Sequence, residues 1–373
     1  MTAPRPIPRA ETVGSLLRPP ELLAARRELA EGRTTRERVR ELEDAAVLEA
    51  IRLQESVGLD VITDGEMRRG GWAVTTEALE GFEPREGGPG LTWRDERGAS
   101  TQPVAQAGGG YPTVVRPIAP RRDLTEEYAF LVRHARVRTK FCMPAPSYHR
   151  RFWYREHSSA AYPTCEDFLT AVRDYQRTVL ARLIELGCDY VQLDAPNYGT
   201  LCDRDNRRML EARGHDLEAE LAFDVALDSS LFEGFEGITR ALHVCRGNAA
   251  GRWHSSGGYG TIAERLFPGL EVDVLLLEYD SERAGGFEPL ACIRPGTVAV
   301  LGLLTTKSGA VEDEAVLERR IEEAARVKPL EELALSPQCG FASVAVGNPV
   351  TPEQQRAKLE LVARVAHRVW GRA

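Results

Sequence analysis

Four residues have types that can do chemistry together: His243, Cys245, Glu278 and Cys339. In Leu242-His243-Val244-Cys245-Arg246-Gly247 the histidine and the cysteine stand two apart. On a strand such residues point to the same side, so both can grip one ion. Imidazole nitrogen and thiolate sulfur are donors that zinc favours. The pair alone equally fits plain packing on a buried strand. Glu278 ends the next apolar run, Val272 to Leu277, and Cys339 follows another in Ser336-Pro337-Gln338-Cys339-Gly340. These spacings match no zinc-finger pattern. They support a candidate zinc site built from separate strands, and spacing by itself does not bring the four side chains together.

Three segments share one grammar of glycine, acid, apolar run and acid: Gly58 to Glu66, Gly187 to Asp194, and Gly269 to Glu278. A helical pattern precedes the first, from Thr35 to Val57, with apolar residues at Val39, Leu42, Ala46, Val47, Ala50 and Ile51. Gly58 then stands where a C-cap glycine belongs. A second helix opens at Thr164-x-x-Asp167 and runs to Leu186, before Gly187. A third opens at Thr351-Pro352-Glu353-Gln354, with proline at its first position.

Helix, glycine and apolar strand in repetition are the mark of a parallel α/β protein. Further candidate strands are Ala10–Ser15, Thr139–Met143, Ala241–Cys245, Val298–Leu304 and Leu333–Leu335. Together they approach the number needed for a TIM-type (β/α)8 barrel, and acids recur just after the runs, where such a barrel puts its chemistry. The competing doubly wound sheet would carry a Gly-x-Gly-x-x-Gly turn, which is missing after a first strand. The stretch from Gly81 to Gly110 is rich in Gly, Pro, Arg and Glu. It is expected to be an inserted loop or hairpin, either a surface excursion or a cover for the active-site mouth. No domain linker is visible, so residues 1–373 are expected to form a single catalytic barrel.

Taken together, His243-x-Cys245, Glu278 and Cys339 resemble the zinc-binding set of the cobalamin-independent methionine synthase family. Thr12-Val13-Gly14-Ser15 resembles that family's first strand, Asp64-Gly65-Glu66 its Gly-Glu motif, and Gln192-Leu193-Asp194-Ala195-Pro196 its Gln-x-Asp-Glu-Pro motif. The resemblance implies a TIM-type barrel, one zinc ion and alkyl transfer to a thiol sulfur. A free thiol, with pKa about 8.5, is mostly protonated at neutral pH. Binding to zinc would leave it a nucleophilic thiolate. By the same resemblance, Ser15, Glu66 and Asp194 would hold homocysteine.

The match has departures. The chain resembles only the catalytic C-terminal barrel of the two-barrel methionine synthases. Ala195 stands where the family usually has glutamate. Lys307, in Leu304-Thr305-Thr306-Lys307-Ser308-Gly309, stands where the family has a histidine that acts as an acid toward the leaving folate. Lys307 is therefore a catalytic candidate, as an acid or as an anchor for an anion, along with Asp194. These departures leave the alkyl donor open. His243 to Asn248, Trp253 and Tyr259 look more like the single-barrel paralogues, a group that includes epoxyalkane:coenzyme M transferases. The expected activity is zinc-dependent methyl transfer to homocysteine or a related thiol. The alternative is transfer of an epoxide or other non-methyl alkyl group to a thiol such as coenzyme M. A metal-free reaction like that of uroporphyrinogen decarboxylase, a barrel of the same superfamily, is a third reading. Arg68, Arg69, Arg150 and Arg151 are candidates for an anion clamp, and His254 can reach the pocket from the loop after the zinc strand.

Composition narrows the partners. With 43% hydrophobic and 28% charged residues, the 373-residue chain can bury a large core. Its 48 basic and 56 acidic side chains give a net charge of −8, which argues against a broad nucleic-acid surface. No apolar run approaches the about 18 to 20 residues that span a bilayer. The first residues, Met1 to Gly14, carry no apolar signal core, so a cytoplasmic protein is expected. Seven cysteines, an odd number, fit metal binding or burial better than disulfides. The expected partners are a small thiol and an alkyl donor.

Overall fold

The computed structural model describes residues 7–371 other than 87, 89, 96 and 102–109. Its strands in chain order are β1 Val61–Ile62, β2 Leu79–Arg85, β3 Trp93–Arg94, β4 Ser100–Thr101, β5 Tyr111–Pro120, β6 Arg138–Thr139, β7 Phe141–Pro144, β8 Tyr190–Asp194, β9 Thr239–Val244, β10 Val274–Glu278, β11 Val298–Leu304 and β12 Leu333–Pro337. The fold is α/β. Six strands form one sheet in the order β12-β11-β10-β9-β8-β7, and every neighbouring pair is parallel.

The residue types explain the sheet. Every residue of β7, β8, β10, β11 and β12 is buried, as parallel strands covered on both faces require. Alternate residues go to different cores. Leu275, Leu277, Ala299 and Leu301 face the large core shared with the helices. Val274, Leu276, Val298 and Val300 join Val13, Val61, Tyr190, Ala241 and Ala334 in a smaller cluster on the other face. Because the strands are parallel, their C-terminal ends share one edge.

The ladder extends beyond six strands. β1 pairs in parallel with β6, which only Lys140 separates from β7. Parallel bridges join Ala10 to Leu335 of β12 and Glu11 to Val61 of β1. The expected strand Ala10–Ser15 is thus only these two bridging residues. From Thr12 the chain leaves the ladder for the site: the Leu16 N–H donates to the Gly65 carbonyl at 3.0 Å and the Phe341 N–H to the Ser15 carbonyl at 2.8 Å. The short run expected at Leu333–Leu335 continues to Pro337.

The three expected helices form at Arg36–Val57, Cys165–Glu185 and Pro352–Trp370. Thr35 caps the first, and Gly58 ends it in the left-handed region at φ 85°. The other two open with complete capping boxes, Thr164 with Asp167 and Thr351 with Gln354. No helix among the described residues is long and apolar enough to cross a membrane.

The expected insertion is a hairpin larger than its predicted bounds. β2 and β5 pair antiparallel from Leu79 opposite Pro120 to Arg85 opposite Tyr111. The smaller ladder of β3 with β4 lies between them in sequence. Arg94 and Trp253 exchange backbone hydrogen bonds of 2.7 and 3.0 Å, which fasten this ladder to the loop after β9. Residues 87, 89, 96 and 102–109 of the expected insertion lie outside the described residues.

Candidate metal centre

The common C-terminal edge of the sheet brings the four candidate ligands together. His243 lies near the end of β9 and Cys245 just past it, Glu278 ends β10, and Cys339 follows β12. One donor atom from each lies within 4.8 Å of every other. The two sulfurs are 3.7 Å apart. All seven cysteines are free.

Each donor is aimed by a neighbour. The His243 Nδ1–H donates to the Leu276 carbonyl at 3.2 Å, which leaves Nε2 as the lone-pair atom facing the cluster. Glu278 is fully buried, and its Oε1 accepts the Arg246 backbone N–H at 2.8 Å. Its Oε2 faces Lys307 Nζ at 3.7 Å and Arg283 Nη2 at 3.9 Å. Burial pushes the Glu278 carboxyl up, but Lys307 and Arg283 outweigh burial and hold it below the usual range. The glutamate is therefore an anion. Cys245 Sγ accepts the Gly247 N–H at 3.3 Å. The two thiols share a hydrogen bond, which lowers Cys339 and raises Cys245, so the first proton leaves far more readily than the second. His243 Nε2 and Glu278 Oε2 are buried and have no hydrogen-bond partner among the described residues.

Two glycines let the backbones come this close. A side chain at Gly199 would strike the Cys245 carbonyl. One at Gly340, next to Cys339, would strike the Ser15 hydroxyl and stand 3.1 Å from the Ser15 nitrogen.

The cluster opens into a cavity of about 850 Å³. His243, Cys245 and Cys339 line it beside Ser15, Glu66 and Asp194, and Trp72, Trp93, Tyr111, Tyr148 and Arg151 line it as well. Asp194 pairs in register with His243 and accepts a 2.8 Å hydrogen bond from Gln192 Nε2. Burial raises its carboxyl to about 6. Burial likewise raises Glu66 to about 7, against the opposing pull of Arg69. Glu66 also sits at φ 58°, in the left-handed region that non-glycine residues avoid at a cost of about 1 to 2 kcal/mol. The hydrogen bond from its N–H to Asp64 Oδ1, 2.9 Å long, helps to hold it there.

No family model matches the chain. YxjH and YxjG, two uncharacterized proteins of Bacillus subtilis (strain 168), are each 34% identical to it, over 97% of this chain and 94% of each relative. The crystal structure of a Listeria monocytogenes protein, a candidate vitamin-B12-independent methionine synthase, superposes with a TM-score of 0.74 at 28% identity, over 99% of this chain and 100% of that one. A B12-independent methionine synthase from Shewanella sp. W3-18-1, in complex with selenomethionine, has the same fold, with a TM-score of 0.71 at 18% identity over 97% of both chains. The chain belongs to the cobalamin-independent methionine synthase family. Membership supports an enzyme with a methyl-transfer role and small-molecule substrates.

Not every site residue of this methionine synthase family chain was anticipated. Lys307 is buried against Glu278 and does not line the cavity. That position suits it to the charge of Glu278 rather than to protonating a leaving group. Arg283 was missed, although Asp280, three residues before it, pairs with it at 3.1 Å. Asn248 was quoted only as part of a longer resemblance. Its Nδ2 donates to the Gly340 carbonyl at 2.6 Å and the Ser343 hydroxyl at 3.0 Å, tying the loop of Cys245 to that of Cys339. His254 does reach the cavity wall, where its ring meets Trp93 edge to face. Burial lowers its imidazole to about 3, so it is neutral there.

Proposed function

We propose that the chain is a zinc-dependent S-methyltransferase that methylates homocysteine or a closely related thiol, on one closed (β/α)8 barrel spanning residues 1–373. The observation that carries this reading is the convergence of two cysteines, one histidine and one glutamate within 4.8 Å, at the base of a cavity also lined by Ser15, Glu66 and Asp194. The parallel bridges from β12 through Ala10 and Glu11 to β1 support barrel closure. So does the small inner cluster fed by β1, β8, β9, β10, β11 and β12.

The residues fit zinc. Two sulfurs, one imidazole nitrogen and one carboxylate oxygen are its usual donors, and two of these four atoms are buried with no hydrogen-bond partner among the described residues. Zinc held there would supply a Lewis acid that keeps a bound thiol ionised at neutral pH while its sulfur stays nucleophilic. Lys307 and Arg283 keep Glu278 ionised, and the Leu276 carbonyl keeps His243 in one tautomer. Glu66 and Asp194 are carboxylates suited to the ammonium group of an amino acid. The Ser15 hydroxyl and nearby backbone N–H groups suit its carboxylate. In the transfer, a sulfur electron pair forms the new S–C bond as the bond from that carbon to the donor breaks. The broken bond's pair leaves with the donor. The thiol gives up one proton and the departing donor takes one, so charge and atoms balance.

Zinc-edge X-ray absorption with and without homocysteine tests the proposal. The expected site has two sulfurs with nitrogen and oxygen donors, and it gains a third sulfur when the thiol is added. Zinc that ignores homocysteine rejects that thiol. Protein that takes up no zinc rejects the proposal.

A further inference from the structure

The four arginines proposed as an anion clamp separate cleanly. Arg68 Nη2 lies 2.5 Å from Asp44. Arg69 is buried between Glu127 at 2.8 Å and Glu66 at 3.4 Å. Arg150 is held by Asp224 at 2.6 Å and Glu166 at 3.0 Å. Arg151 has no carboxylate within ion-pair distance among the described residues, yet it lines the cavity that contains the metal centre. Its guanidinium lies 4.8 Å from the Tyr148 ring centre and 5.9 Å from that of Tyr111. Tyr148 in turn packs on Trp72, with centroids 4.5 Å apart.

A guanidinium held by aromatic faces keeps its N–H edge available, and that edge matches the paired oxygens of an oxyanion. The acids of the adjoining cavity are engaged elsewhere. Asp224 and Glu220 line the adjoining cavity of about 200 Å³, but both are drawn to Arg150. The main cavity, at about 850 Å³, lies well within the range that houses whole ligands and exceeds the needs of one amino acid.

We infer that Arg151 is the anion-recognising residue of this cavity, and that the alkyl donor is a small organic oxyanion, a carboxylate or a sulfonate, whose body packs on Tyr148 and Trp72. Assigning the site to the donor rests on the proposed function; the anion preference of Arg151 does not.

Trp72 and Trp93 line the cavity, so tryptophan fluorescence reports its occupancy. The probes are benzoate, benzenesulfonate and their neutral counterparts benzamide and methyl phenyl sulfone, added to the zinc-loaded protein. At least one anion is expected to bind about tenfold or more tighter than its neutral counterpart, and the stronger one identifies the oxyanion. Arg151→Gln removes this preference, and Arg151→Lys keeps part of it. The inference is overturned if the wild type shows no preference or if the preference survives in Arg151→Gln. It is also overturned if Arg213→Gln, at another cavity-lining arginine, abolishes the preference while Arg151→Gln keeps it. X-ray absorption of Arg151→Gln with homocysteine separates the two readings. A third sulfur there keeps the proposed function whatever the probes do. An anion preference without any third sulfur in the wild type keeps Arg151 as the anion site and rejects homocysteine as the thiol.

Discussion

Two buried clusters of ionisable residues use the same interior in opposite ways. Beneath the site, Lys140 Nζ donates to Glu11 Oε2 and Gln192 Oε1, both at 2.6 Å. The Tyr190 hydroxyl reaches Glu11 at 3.1 Å, and Gln192 Nε2 donates to the Val13 carbonyl at 2.9 Å. Donors and acceptors in this network answer one another. At the strand ends, His243 Nε2, Glu278 Oε2 and Lys307 Nζ are buried without hydrogen-bond partners among the described residues. Burying polar atoms is costly unless they are paired. The closed network is a structural element of the core. The open one has donor atoms placed to take the ion proposed above. Burial of charge alone would not have told them apart; unmet bonds on donor atoms that converge within 4.8 Å do.

Substitutions can break this contrast, beginning where the largest effect is expected. Lys140→Met leaves Glu11 buried without its cation, and should cost about 3 to 5 kcal/mol of stability by urea denaturation. Its folded fraction should bind zinc at the wild-type ratio. A loss of zinc alongside full stability would mean that the two clusters are not separate devices. Cys339→Ser should do the reverse. Competition with a chelator should show zinc affinity falling by more than about 100-fold, beyond the roughly 10- to 100-fold that outer contacts carry. Its apo form should melt within about 1 kcal/mol of the wild-type apo form. Lys307→Met removes a charge facing Glu278 without removing a ligand. Zinc affinity in the same assay should fall about 10-fold, the lower end for an outer contact. An unchanged affinity would return Lys307 to the role of donor-side acid.

The sequence made the positioning elements readable where local chemistry decides them. The caps at Thr35, Thr164 and Thr351 and the apolar run Val298–Leu304 need no distant partner to be recognised. The ligands were nameable because His243 and Cys245 share a face and Glu278 and Cys339 follow apolar runs, and the family resemblance joined the four into one set. Other features depend on contacts distant in sequence. Ala10–Ser15 reads as a strand, but past Glu11 its backbone is drawn to Gly65 and Phe341. Arg150 and Arg151 are adjacent in sequence and look alike, yet one is spent on Asp224 and the other faces the cavity. Arg283 faces Glu278, and Asn248 holds the loop of Cys339, only because the fold brings them near.

The contact of Gly340 with Ser15 works as a calliper. Cys339 is one jaw, the Ser15 hydroxyl is the other, and Gly340 is the pin that lets them close. On the proposed roles, the jaws grip the sulfur end and the carboxylate end of one amino acid. On the same reading, the gap between them sets the length of amino acid that fits. Cysteine, one methylene shorter than homocysteine, would be turned away for its reach, although its functional groups are the same.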